Sequence, residues 1–330
     1  MSQGYDVASL GNAIVDVIAA TDDGFLAKHD IAKGIMTLVD EPRARQLLDV
    51  LGETRETAGG SAANTMAGLA SLGGKGLFVG KVRDDALGKA FVKNMNEIGV
   101  RYVTGTANSG PATACCLIAV TPDGQRSMNT FLGASRELSK ADIDEAEIAK
   151  AEVLYVEGYL WDTPEAKEAI EIAMSAAKAA GKKVAFTLSD PFCVGRWRDE
   201  FRRLLDGKID ILFANEEEAK SLFEVDNFDD VLQPFHDWKG IAALTRSEKG
   251  CVIAHKGEVH VIDAAPVAKV VDTTGAGDQF AAGFLYGLTH GKSLADCGRL
   301  GSMAAAEVIS HYGARPEVSL KELATKAGLL

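Results

Sequence analysis

Strand-like and helix-like patterns alternate along nearly the whole chain, and no other feature limits its fold so strongly. Helical periodicity covers 62–72, 86–98, 164–180 and 279–289, and each stretch is soon followed by glycine, the usual C-terminal stop. Apolar runs of strand length lie between them at 76–79, 153–156, 183–188, 209–213 and 241–245. Repeated βα units of this kind build a mostly parallel sheet with helices on both faces, so a three-layer α/β fold is expected. Two segments break the rhythm. Residues 12–39 and 103–131 are rich in alternating and β-branched residues without a long helix, and are expected to form a small β-sheet lid on a single domain spanning 1–330.

Composition narrows the function classes. Thirty-five Lys and Arg stand against 47 Asp and Glu, a formal charge of −12, which disfavours nucleic acid and anionic membrane as partners. No apolar stretch reaches the roughly 18 residues of a membrane-spanning helix. Residues 1–6 carry no basic flank leading into an apolar signal region, so a cytoplasmic protein is expected. The cysteines, at 115, 116, 193, 251 and 297, show no Cys-x-x-Cys spacing and suit a reducing compartment. Cys115 and Cys116 read as small hydrophobes on opposite faces of a strand. The histidines lack the His-Glu-x-x-His spacing of a zinc helix, and no transition-metal site is expected.

The stretch 267–288, VAKVVDTTGAGDQFAAGFLYGL, carries the most chemistry. A β-branched run ends at Asp272, Gly275-Ala276-Gly277 makes a tight turn, and a small-residue helix begins near Asp278. Strand, glycine turn and helix N-terminus together aim free N–H groups and the positive end of the helix dipole at one point, which suits phosphate. Asp278 then has two readings. Either it caps the helix, or it accepts the proton of a hydroxyl that attacks a terminal phosphoryl group while the backbone holds the developing charge. A second glycine cluster, 287–293, is one residue short of a Walker A loop and follows a helix, so it reads as a helix end and a new start. The first strand leads into no Gly-x-Gly-x-x-Gly, against a dinucleotide fold.

Ala58-Gly59-Gly60-Ser61-Ala62-Ala63-Asn64 is a second constellation. Ser61 is placed to cap the following helix, with Asn64 facing the same way one turn later; the two either present polar groups to a small ligand or make a plain turn and cap. On the expected strand 12–19, Asn12 and Asp16 share one face with Ile14 and Ile18. An Asp that accepts two hydrogen bonds suits a vicinal diol, with Asn beside it to donate and accept; the plain alternative is an Asp at an exposed strand edge. The acidic run 216–218 reads as a solvated helix start.

Gly59-Gly60 through Asn64, the following LASLGGKGLFVGKVRDDALG, and DTTGAGDQFAAGF resemble the two signatures of the ribokinase-like (PfkB) family of sugar and nucleoside kinases. The resemblance implies a large α/β core with a small β lid, binding ATP with Mg²⁺ near DTTGAGD and closing over a hydroxyl substrate. It makes Asp278 the catalytic base and Gly275, Ala276 and Gly277 its anion hole. Asn215 and Glu218, in ANEEE, match an Asn-x-x-Glu element that meets Mg²⁺ and phosphate through water. Thr245, Ser247 and Gly250 fall where the family has a Thr-x-Gly-x-x-Gly nucleotide segment, with Ser247 in place of its first glycine. Arg83 likewise replaces a frequent glycine of the first signature. Asp272, Thr274 and the stretch 305–313 are where the resemblance implies a monovalent cation such as K⁺.

GNAIVD, AGGSAANT, QRSMNTFLGAS and VEGYLWD are more similar to the adenosine kinase branch than to the more densely polar segments of ribokinase. That likeness implies adenosine or a related nucleoside as the small-molecule substrate, with Asn12, Asp16, Gly59, Gly60, Ser61 and Asn64 around the ribose. Met36, Leu38, Leu132 and Tyr159 then either supply an apolar side for the purine or are ordinary core. Arg126 either reaches over the transferred phosphoryl group as the lid closes or is a surface charge. A sugar kinase of the same fold and a non-catalytic nucleoside sensor are the alternative readings.

Overall fold

The computed structural model describes residues 4–330, so the first three residues of the expected 1–330 domain fall outside it. The strands along the described chain are β1 (Tyr5–Leu10), β2 (Ile14–Ala20), β3 (Met36–Leu38), β4 (Arg55–Gly59), β5 (Gly76–Val79), β6 (Arg101–Tyr102) and β7 (Ala114–Val120), followed by β8 (Arg126–Phe131), β9 (Ala151–Glu157), β10 (Lys183–Thr187), β11 (Ile211–Asn215), β12 (Ile241–Thr245), β13 (Cys251–His255) and β14 (Glu258–Ile262). They form a nine-stranded sheet, in the order β14-β13-β12-β11-β10-β9-β1-β5-β6, and a five-stranded sheet, β3-β8-β7-β2-β4.

In the large sheet β6, β5, β1, β9, β10, β11 and β12 run parallel, and β13 and β14 close one edge antiparallel. Parallel strands are covered on both faces, which is why VLYV in β9 and ILFA in β11 read as unbroken apolar runs and are buried throughout. Ser61–Ser71, Ala276–Thr289 and Leu294–Val308 cover the face carrying Val7, Tyr155 and Phe213. Pro164–Ala179, Pro191–Leu205 and Glu216–Phe223 cover the face carrying Leu10, Leu154 and Phe186. Each fully buried Val, Leu or Phe contributes about 1.5–3 kcal/mol, so the helices are held by packing more than by propensity.

Three expected helices appear within a residue or two, as Ser61–Ser71, Ala86–Glu97 and Pro164–Ala179; the fourth, Ala276–Thr289, starts three residues early, on the glycine turn itself. Ser293 caps the helix Leu294–Val308, as read for the cluster that imitates a Walker A loop.

Three expectations are corrected. The β-branched run before Asp272 is not a strand, because the sheet already ends at β14. There the chain runs irregularly, Val271 N–H donating to Ile309 O at 2.8 Å and Val270 remaining 55% exposed. Secondly, the small sheet includes β4, from outside both expected segments, paired antiparallel with β2. Its sequence RETAG has no apolar alternation to announce it. Thirdly, β2 begins at Ile14, which leaves Asn12 in the turn after β1; Ile14, Asp16 and Ile18 are half-buried on one face and Val15, Val17 and Ala19 buried on the other.

The order places the site. From β1 the sheet grows through β5 and β6 on one side and through β9, β10, β11 and β12 on the other. At such a switch point the carboxyl ends of neighbouring strands leave a crevice. Asn12 and Glu157 stand there, beyond β1 and at the end of β9. Among the described residues no helix is long and apolar enough to cross a membrane, and the five cysteines are free and buried.

Candidate active site

Glu157 organises the crevice. Asn12 donates through its backbone N–H and its Nδ2 to Glu157 Oε1, each at 2.7 Å, and Ala62 N–H donates to Oε2 at 2.8 Å. One carboxylate therefore ties the β1–β2 turn to the N-terminus of the helix Ser61–Ser71. Burial pushes its carboxyl up to about 7 against the pull of these donors. Gly59 and Gly60 allow the close approach beside it. A side chain on Gly59 would lie 2.5 Å from the Asp16 carboxylate, and Gly60, at φ +91°, faces Asn12 O with no room for a Cβ.

Both capping readings fail, and for one reason. The N-caps are Gly60 and Gly275, neither with a side-chain bond, so Ser61 and Asp278 each fall inside a first turn with their side chains free. They meet each other: Ser61 Oγ donates to Asp278 Oδ1 at 2.6 Å, and Asn64 Nδ2 donates to Oδ2 at 3.4 Å. Desolvation pushes Asp278 up to about 6, with Ser61, Asn64 and Arg315 drawing it down. Such a group is ionised at neutral pH yet remains a competent base.

The turn before it suits an anion. Gly275, at φ +79°, begins the helix, and the first helical bond runs from Gln279 N–H to Gly275 O at 2.9 Å. Gly277 and Asp278 N–H precede that bond, and Gly277 is exposed. Of the expected anion hole, Ala276 contributes least, because its N–H already donates to Thr273 O at 3.2 Å.

Asp16 lies behind Gly59, its carboxyl pushed up to about 6 by burial, with Arg315 and Arg126 opposing and Asp278 reinforcing the shift. Arg126 is not a surface charge: its side chain is 9% exposed, pairs with Asp272, and keeps a buried Nε without a partner. Asp272 also accepts from Thr274 N–H (3.0 Å), Thr274 Oγ1 (2.6 Å) and Gly313 N–H (3.1 Å). These donors hold its carboxyl below the usual range despite burial. Both Asp272 oxygens, the expected cation ligands, thus face protein donors.

A second group follows along the strand ends. Asn215 ends β11 and caps the helix Glu216–Phe223 in a reciprocal box: Glu218 N–H donates to Asn215 Oδ1 at 2.8 Å, while Asn215 N–H and Nδ2 donate to the Glu218 carboxylate at 3.0 and 2.6 Å. Glu218 is buried, not solvated as the acidic run suggested, and burial pushes it up to about 7, with Asp190 and Asp278 adding to the rise. Thr245, at the end of β12, lies opposite Asn215 in register. Beyond it Ser247 takes φ +51°, the left-handed backbone a glycine would adopt, and Gly250 has φ +78°. Five neighbouring strands, β1, β9, β10, β11 and β12, therefore end in one row of about 19 Å, enough for an acceptor and a nucleotide end to end.

The apolar candidates divide. Cross-strand register runs Asp16, Cys116, Thr130, Leu38 and Ile18, Ile118, Met128, Met36, which puts Leu38 and Met36 on the Asp16 face of the small sheet. They are 61% and 50% exposed, so they are not core. Tyr159, 37% exposed, donates through its hydroxyl to Ser189 O at 3.3 Å, and Leu132 follows β8, half-buried. Sequence reasoning missed Glu157, Gln279 and Arg315. A lone carboxylate ending the buried run VLYVE was a readable signal for Glu157; Arg315 lies in a loop without periodicity and offered none.

Among the described residues no three ligating side chains cluster as a metal cage. Glu218, buried beside Asn215 at the end of β11, is the carboxylate present that would suit Mg²⁺ held through water.

The family model for pfkB family carbohydrate kinases matches residues 6–320. Adenosine kinase 1 of Arabidopsis thaliana is 29% identical over 92% of this chain and 94% of its own. A crystal structure of a probable sugar kinase from Rhizobium etli CFN 42 is 48% identical and superposes with a TM-score of 0.90 over 99% of both chains. Adenosine kinase from Sinorhizobium meliloti, also 48% identical, gives 0.89 over 98% of this chain and 99% of that one. With this match and the ribokinase-like pairing of a large parallel sheet with a smaller one, the chain belongs to the pfkB family of carbohydrate kinases and is an ATP-dependent kinase.

Proposed function

We propose that the protein transfers the γ-phosphoryl group of ATP to the 5′-hydroxyl of adenosine, giving AMP and ADP. The observation that carries the reading is the Asp278 carboxylate, held by Ser61 and Asn64 beside an exposed glycine turn. Nucleoside as acceptor is supported by two relatives named adenosine kinase and by the exposed Met36 and Leu38 on the Asp16 face. A purine gains from such an apolar floor; a free sugar does not.

In this reading Asn12, Asp16, Gly59, Gly60 and Asn64 hold the ribose, Asp16 accepting from its vicinal hydroxyls. Asp278 takes the proton of the 5′-hydroxyl as that oxygen bonds to the γ-phosphorus and the bond to the bridging oxygen of ADP breaks. The N–H groups of Gly277 and Asp278 meet the charge that develops on the transferred group. Arg126 leaves Asp272 for that group as the small sheet, built chiefly from 12–39 and 103–131, closes as a lid. Asn215 and Glu218 would hold Mg²⁺ through water, and Thr245, Ser247 and Gly250 the nucleotide. When bound, Mg²⁺ neutralises phosphate charge. A monovalent cation such as K⁺ near Thr274 would have to displace the donors on Asp272. Five free buried cysteines suit a cytoplasmic setting.

A thermal-shift panel with product analysis tests the reading. Adenosine is expected to raise the melting temperature where ribose and fructose do not, and adenosine with ATP and Mg²⁺ to yield AMP and ADP in equal amounts. A response to free sugars alone would favour a sugar kinase, as the name of the Rhizobium relative suggests for that protein. Binding of adenosine without ADP release would indicate a sensor.

A further inference from the structure

Arg315 lies in the loop between the helices Leu294–Val308 and Leu320–Lys326. The loop is fastened to the glycine turn at three points. Gly313 N–H donates to Asp272 Oδ2 at 3.1 Å, Ala314 occupies the space a Gly275 side chain would need, and Ala314 O accepts from Gln279 Nε2 at 2.9 Å. That anchoring fixes where the guanidinium can reach.

Its contacts are all neutral. Nε donates to Asn64 Oδ1 at 3.1 Å, Nη1 donates to Asn94 Oδ1 at 2.7 Å, and Nη2 meets Met95 Sδ at 3.6 Å. Burial lowers the guanidinium to about 10, with Asp16 and Asp278 opposing, so it remains a cation near neutral pH. A half-buried charge with no carboxylate in contact is expensive unless its field acts on something nearby. The groups on which the Asp278 charge acts are otherwise acids or phenols, Asp16 on β2, Tyr155 and Glu157 on β9, Tyr159 just beyond it, and Glu218, while the nearby cation Arg126, on β8, is paired with Asp272 and acts on Asp16. Arg315 is the cation that offsets them at Asp278.

The bond to Asn64 has a second effect. A side-chain amide offers an acceptor at one end and donors at the other. With Oδ1 held by Arg315 Nε, Nδ2 is turned toward Asp278 Oδ2, at 3.4 Å. The reversed amide would set oxygen against carboxylate and NH₂ against guanidinium.

We infer that Arg315 is a positioning residue for phosphoryl transfer: it locks Asn64 with its donor end toward Asp278 and supplies the fixed positive charge that keeps this carboxylate ionised among acidic neighbours. The inference rests on Asp278 acting as the base.

Full-length Arg315→Gln and Arg315→Lys, compared with Asp278→Asn, test it through kcat and kcat/KM for adenosine across the pH range. Arg315→Gln is expected to lower kcat near neutral pH about 10- to 100-fold, with KM for ATP within about threefold. The acid limb of its profile moves up by about one pH unit, because loss of the cation disfavours the ionised base. Arg315→Lys restores charge without the fork, so its limb returns to the wild-type position while kcat stays about tenfold low. An unmoved limb in Arg315→Gln, or wild-type kcat in Arg315→Lys, overturns the inference. If circular dichroism shows that Arg315→Gln does not fold, Arg315→Lys decides alone: a wild-type limb with lowered kcat supports the inference, and any other result overturns it. Near-normal turnover in Asp278→Asn would instead remove the underlying reading; an inactive Asp278→Asn beside an unmoved Arg315→Gln limb removes only the role of Arg315.

Discussion

Ser61 Oγ donates a 2.6 Å hydrogen bond to Asp278 Oδ1, joining two positions 217 residues apart. Ser61 opens the helix that leaves the small sheet, and Asp278 lies in the first turn of the helix that leaves the glycine turn. A hydroxyl placed there stabilises the charged form of the carboxylate, so it tunes the proposed base as well as holding it.

Ser61→Ala removes that donor, and the Asp278 carboxyl is expected to rise further above its present value of about 6. A hydrogen bond to a charged group is worth about 1.5–3 kcal/mol, which corresponds to a rise of about one to two pH units. Turnover should fall about tenfold near pH 6 and much less near pH 8.5, where the carboxyl is ionised in either protein. Rate measurements at the two pH values check this; equal losses at both would mean that Ser61 acts on something other than the protonation of Asp278.

Asp278 should weaken the unliganded fold at neutral pH. Its folded value, about 6, lies above the ordinary 3.8, so the native state binds more protons than the unfolded chain between them. Stability is therefore lost as pH rises through that window. Allowing for solvent screening of a half-buried group, the penalty above pH 7 is about 1–2 kcal/mol. Asp278→Asn avoids it and should melt about 1–3 °C higher at pH 8, with the difference gone below about pH 4. A lower melting temperature at pH 8 would contradict this origin of the shifted carboxyl.

Gly59→Ala should separate nucleoside binding from nucleotide binding. The added methyl would stand 2.5 Å from the Asp16 carboxylate, which must swing away. KM for adenosine is expected to rise about tenfold or more, with KM for ATP within about threefold. Initial-rate kinetics with each substrate varied in turn give both values. A parallel rise in the two would mean that the methyl disturbs the whole crevice and not the Asp16 contact.

The sequence exposed the fold wherever burial leaves a period. VLYV and ILFA announced strands covered on both faces, and the glycines after the helices announced their ends. It concealed β4, because RETAG joins the small sheet through its backbone, and it made a strand of the run before Asp272, because β-branched residues look alike whether or not a sheet has room for them. At the site, the glycine turns and Asp278 were legible since tight turns demand specific residues. The capping readings of Ser61 and Asp278 went astray because Gly60 and Gly275 take the cap positions, which no local pattern distinguishes. Glu157 and Arg315 were hidden because their hydrogen-bond partners are brought close only by the fold.

The most direct test of the account is turnover of adenosine by Asp278→Asn, measured with product analysis and beside the nucleoside's Kd from calorimetry. Loss of the base should lower kcat about 10²- to 10⁴-fold while Kd stays within about threefold of wild type. Near-normal AMP formation by this variant would show that Asp278 does not take the proton, and the account would fail.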